Sequence, residues 1–122
     1  MLTGQTVLIV EEEFLIALDI QRVLEDHDVG QCVFARSVAE ALALRDRWPQ
    51  YNLAIVEFST DQPANLELLH GLAAAGIRTI ITTSDRLLYS GIADAPGAPV
   101  LVKPFPEAEL MSAIAQALTP VA

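Results

Sequence analysis

The sequence predicts an α/β domain in which a doubly wound, five-stranded parallel sheet lies between two layers of helices. Apolar runs bounded by polar or turn residues alternate with stretches of helical spacing along the chain, the pattern of repeated βα units. The first, third and fourth runs are continuously apolar rather than alternating, which requires burial on both faces and places those strands at the centre of the sheet.

The first strand is Thr6–Val10, followed by a helix from about Phe14 to Glu25 whose Ile16, Ile20, Val23 and Leu24 recur at helical spacing. Strand two is Gln31–Ala35. Ser37 is the predicted N-cap of the second helix, with Glu40 in the capping-box position, and Trp48 closes that helix as a packing residue before Pro49 stops it. Strand three is Leu53–Phe58. A third helix covers Asn65 to Ala74, with Pro63 before it and Gly76 as its stop. Strand four, Thr79–Thr82, leads into "DRLLYSGIADAPGAP", where Gly91, Pro96, Gly97 and Pro99 leave room only for a short or irregular fourth helix. Strand five is Val100–Val102, and the last helix, from about Pro106 to Leu118, opens on Pro106-Glu107 and carries Leu110, Met111, Ile114 and Leu118.

At 122 residues, 52% apolar and 19% charged, the chain fits one domain with a core of its own, and no effector domain is expected. Three glutamates directly after "VLIV" and the absence of a basic N-terminal cluster argue against a secretory signal, so the expected setting is the cytoplasm, with no membrane partner. The formal charge of -9, with seven scattered Lys and Arg, disfavours nucleic acid as a partner class because phosphate binding needs clustered cations. Cys32 has no second cysteine to pair with and reads as a small buried hydrophobe.

In an open parallel sheet ligands bind beyond the carboxyl ends of the strands. The unusual polar residues all fall there: Glu11, Glu12 and Glu13 after strand one, Glu57 and Ser59 at strand three, Thr83 and Ser84 at strand four, and Lys103 with Pro104 after strand five. "VLIVEEEFLIALDI", "LAIVEF", Thr83 and "LVKPF" resemble the receiver domain of bacterial response regulators, the CheY-like fold of flavodoxin type with strand order 2-1-3-4-5, over essentially the whole chain. The resemblance implies that Glu57 holds the position of the aspartate that accepts a phosphoryl group from a histidine kinase. It further implies that Glu11 and Glu12, with the Ser59 carbonyl, stand at the magnesium site, and that Thr83 and Lys103 contact the phosphoryl group. A cis Lys103–Pro104 peptide is common in the family and turns the lysine inward.

This sequence departs from that family at three places. Glutamate is one methylene longer than aspartate, and a shift of about a bond length costs on the order of a hundredfold where in-line geometry is required. Glu12 stands where aspartate is usual, which weakens or abolishes a magnesium site, so no cofactor is expected to be required. Val100 replaces the aromatic residue that many receivers move with the threonine. The expectation is an atypical, pseudo-receiver domain that is not an enzyme and acts by binding a histidine kinase, a phosphotransfer protein, another regulator or a second copy. A receiver still phosphorylated on Asp61 or Glu57 is the alternative. A flavodoxin-like enzyme is disfavoured, because three glutamates repel a phosphate and His27 and His70 lie on separate helices. Phe14, Leu15 and Leu18 point away from the apolar stripe of the first helix, and are predicted either to form a contact surface or to be covered by the last helix or the loop after strand one.

Overall fold

The computed structural model describes residues 2–119. Five strands form one parallel sheet in the order β2-β1-β3-β4-β5: β1 Thr6–Val10, β2 Gln31–Ala35, β3 Leu53–Glu57, β4 Arg78–Thr83 and β5 Val100–Val102. The four helices are α1 Phe14–Asp26, α2 Val38–Ala43, α3 Ala64–Ala74 and α4 Glu107–Leu118. The three continuously apolar strands are the three central ones, as burial on both faces demands.

Side-chain alternation divides the core in two. Val7, Ile9, Leu53, Ile55 and Ile80 pack with α1 and α4, while Leu8, Val10, Ala54, Val56 and Ile81 pack with α2 and α3 on the opposite face.

The second helical stretch differs from the expected single helix. Ser37 caps α2, its Oγ accepting the Glu40 N–H at 3.1 Å, and the Glu40 carboxylate accepts the N–H of Arg36 rather than that of the cap residue. The α-helix then ends at Ala43, and Arg45–Gln50 continues as a 3₁₀ helix containing Trp48 and Pro49. Pro49 explains the break, since its ring would meet the carbonyl four residues back in a continued α-helix.

Trp48 is a packing residue, as its position suggested. It is buried, its Nε1–H donates to the Ala41 carbonyl at 3.1 Å, and the Arg45 guanidinium lies 5.3 Å from its ring centroid. A Cβ at Gly71 in α3 would stand 2.9 Å from the indole. Gly71→Ala should therefore destabilise by about 1–3 kcal/mol, overpacking outweighing the gain of about 1 kcal/mol in helix propensity. Urea denaturation measures this, and a stabilised variant would refute it.

Between β4 and β5 the chain holds one 3₁₀ turn, Arg86–Leu88, in place of a fourth crossover helix. Asp85 caps that turn by accepting the Leu87 N–H at 2.9 Å. β4 is longer than expected at both ends, so Thr83 is its last residue rather than the first of the following loop.

Candidate functional site

Strand register brings the acidic and basic residues together. Val10 lies opposite Val56 in the β1–β3 ladder, so Glu11 and Glu57 emerge side by side where the strand order reverses. Thr83 lies opposite Val102, and the Lys103 N–H donates to the Thr83 carbonyl at 2.8 Å, which carries Lys103 toward β3. The Lys103–Pro104 peptide is cis.

The lysine ammonium lies between two carboxylates. Nζ is 2.5 Å from Glu11 Oε1 and 2.6 Å from Glu57 Oε2. The Glu11 side chain is 1% exposed and that of Lys103 8%, whereas Glu57 keeps 27% and faces the cleft. The other two oxygens are also engaged: Glu11 Oε2 accepts the Glu13 N–H at 3.0 Å and Glu57 Oε1 accepts the Glu12 N–H at 3.3 Å. The acidic loop thus folds its backbone donors onto the carboxylates of its neighbours.

Burial lowers the pKa of Lys103, but its hydrogen bonds and charge contacts with Glu11 and Glu57 prevail and hold it above the ordinary lysine value. Burial also pushes Glu57 up, and here Lys103 together with the Glu12 N–H wins, leaving that carboxyl below the usual range. For Glu11 burial prevails over Lys103 and raises the carboxyl.

Two glutamates converge on the lysine, because Glu12 and Glu13 are exposed and contribute their backbone N–H groups. Thr83 is buried, and its Oγ1 accepts the Asp85 N–H at 3.1 Å. Ser59 Oγ donates to the carboxylate of Asp61, which is exposed at the rim. Glu57, Ser59, Asp61, Thr83 and Ser84 line one open cleft of about 650 Å³ that Arg36 also borders. Phe14 and Leu15 are exposed on α1, and Leu18 is 39% exposed, so neither α4 nor the loop after β1 covers them.

One structural partner of the site was not anticipated. Asn65 is 2% exposed at the start of α3, where its Oδ1 accepts the Ser59 N–H at 3.1 Å and its Nδ2 donates to the Glu57 carbonyl at 3.3 Å. It ties the loop after β3 to the helix that follows. The signal lay in the helical pattern: Asn65, Leu68, Leu69 and Leu72 form the buried i, i+3, i+4, i+7 stripe, with a polar residue at its first position.

The two carboxylates that meet at the implied magnesium site, those of Glu11 and Glu57, face Lys103. Three of the four oxygens of Glu11 and Glu57 accept hydrogen bonds inside the protein, whereas the buried Glu11 Oε1 meets the Lys103 ammonium as an ion pair and accepts no hydrogen bond; among the described residues no three His, Cys, Asp or Glu side chains are gathered to hold a metal ion. Magnesium asks for several oxygens in near-octahedral order.

No protein-family model matches the chain, and no curated protein matches it. Solved structures do. A response regulator receiver protein from Sinorhizobium medicae aligns over 97% of this chain and 97% of its own, at 20% identity and a TM-score of 0.79. The BeF3-activated conformation of SdrG from Pseudomonas melonis aligns over 98% and 100%, at 29% identity and a TM-score of 0.76. A response regulator from Thermotoga maritima aligns over 96% and 99%, at 18% identity and a TM-score of 0.79. With its sheet order of β2-β1-β3-β4-β5 and near-complete overlap with these proteins, the chain has the CheY-like fold of the response regulator receiver domains.

Proposed function

We propose that this is a receiver domain of two-component signalling that works by binding protein partners in a fixed conformation, without phosphoryl transfer at Glu57. The observation that carries this reading is the Lys103 ammonium 2.6 Å from Glu57 Oε2. The carboxylate at the acceptor position is already charge-paired, and its extra methylene takes its oxygens away from where a shorter acceptor would hold them. Thr83 is engaged with the Asp85 backbone, and Val100 offers no aromatic ring to move with it. The domain is then a binding module rather than an enzyme, and a cytoplasmic setting belongs to the same reading. Among the described residues no helix is long and apolar enough to cross a membrane.

Incubation with acetyl phosphate and Mg²⁺ should leave the intact mass unchanged. A stoichiometric, hydroxylamine-labile adduct that disappears in Glu57→Gln would overturn the reading, and one that disappears only in Asp61→Asn would move the chemistry to the loop.

The partner-facing surface we assign is the exposed apolar group Phe14, Leu15 and Leu18 on α1, for a kinase, a phosphotransfer protein, another regulator or a second copy. The double substitution Leu15→Glu, Leu18→Glu should change stability by no more than about 1 kcal/mol, since both side chains already meet water. It should also abolish association with such a partner, or self-association in sedimentation. Gross unfolding by circular dichroism would return these residues to the core.

A further inference from the structure

We propose that the Lys103 ammonium is the resident cation of this acidic site and closes it to divalent metals, a statement that rests on the receiver-type reading of the site and goes beyond it. Nζ is 2.5 Å from Glu11 Oε1 and 2.6 Å from Glu57 Oε2, so the positive charge that these two carboxylates attract is already supplied by the chain itself. The remaining oxygens are held by the Glu13 and Glu12 N–H groups, so a metal would have to break backbone contacts as well. A divalent ion bound to either lysine-facing oxygen would stand against the ammonium, and like charges in a partly desolvated site repel strongly. The ammonium is itself buried, its side chain 8% exposed, and moving it aside would strip it of both partners.

Lysine is suited to this place because its charge is compact and carries three rotatable donors, enough to meet two carboxylates at once. The cluster is left with one net negative charge when all three groups are ionised. Replacing the lysine with an uncharged side chain of similar length leaves two adjacent carboxylates and no cation, an oxygen donor set of the kind hard divalent ions take.

The test is Mn²⁺ binding followed by the electron paramagnetic resonance signal of the free ion at neutral pH, together with melting temperature against Mg²⁺. The wild-type protein should leave Mn²⁺ free and melt at a temperature indifferent to millimolar Mg²⁺. Lys103→Met should bind Mn²⁺ stoichiometrically and gain melting temperature with added metal, as ligand linkage requires, and adding Glu57→Gln should remove both effects. If Lys103→Met is unfolded without metal, Mn²⁺ should restore its folding. Stoichiometric Mn²⁺ binding by the wild type that is lost in Glu11→Gln would overturn the proposal, as would a Lys103→Met protein that neither binds Mn²⁺ nor is rescued by it. These outcomes are separable from those of the phosphorylation test: an adduct on Glu57 without Mn²⁺ binding sinks the functional reading alone, and Mn²⁺ binding without an adduct sinks this one alone.

Discussion

Lys103→Ala is expected to cost about 3 kcal/mol or more of folding stability at neutral pH. Removing one partner of a buried ion pair leaves the other uncompensated, and here a single truncation strips the cation from two carboxylates at once. The pH dependence follows from the directions of the shifts. The pKa of Lys103 is raised in the folded state, so its contribution is complete below the ordinary lysine value of roughly 10.4 and is lost as pH rises through its folded value. Glu57 is lowered, so its contribution is present above roughly 4.3 and lost as pH falls through its folded value. In the variant the two carboxylates repel each other with no cation between them, and both are pushed upward. Its deficit relative to the wild type should therefore narrow as pH falls from neutrality toward about 4. Glu57→Gln should be tolerated far better, at about 1 kcal/mol, because Lys103 retains Glu11 and Glu57 is the most exposed of the three. Urea denaturation of the three proteins across that pH range supplies the comparison. A neutral-pH midpoint indifferent to Lys103→Ala would show that solvent screens the cluster.

Much of this arrangement was legible in the sequence. Continuous apolar runs identified the buried central strands, and the placement of Glu11, Glu57, Thr83 and Lys103 at strand ends is enough, in a parallel sheet, to bring them to one edge. That Lys103 reaches the acceptor position held by Glu57 was expected, as what the resemblance implies. The ion pair of Lys103 with Glu11 was not, because which of three successive glutamates turns inward depends on the register of β1 against β3 and on the loop's own N–H groups. Helix ends follow the local sequence only in part, for physical reasons. Ser37 capped where a serine before a helical run should, whereas Pro49 altered the helix behind it, converting its second half to 3₁₀ geometry. Polar residues that act by bridging backbone groups, Asn65 above all, leave a fainter mark than charged ones, since an amide in a helical stripe is easily passed over as solvent-facing.

Asn65→Asp should be the most damaging isosteric change near the site, costing about 3 kcal/mol at neutral pH and much less in acid. The side chain is 2% exposed and has two different tasks: one atom accepts the Ser59 N–H and the other donates to the Glu57 carbonyl. A carboxylate can still do the first. For the second it turns a donor into an acceptor, setting a negative oxygen against the Glu57 carbonyl oxygen in a buried position. Protonation restores the donor, so the folded state raises the pKa of the introduced group. Stability comparable with the wild type is then fully present only below the unfolded value of roughly 3.9, and is lost as pH rises through the higher folded value. Asn65→Ala, which leaves the N–H and the carbonyl without partners but adds no charge, should cost less, about 2 kcal/mol, and show no such pH dependence. Denaturation of both variants at neutral and acid pH separates the two mechanisms. Equal losses at both pH values would mean that Asn65 serves only to fill space, and that the loop carrying Glu57 is held by something other than this amide.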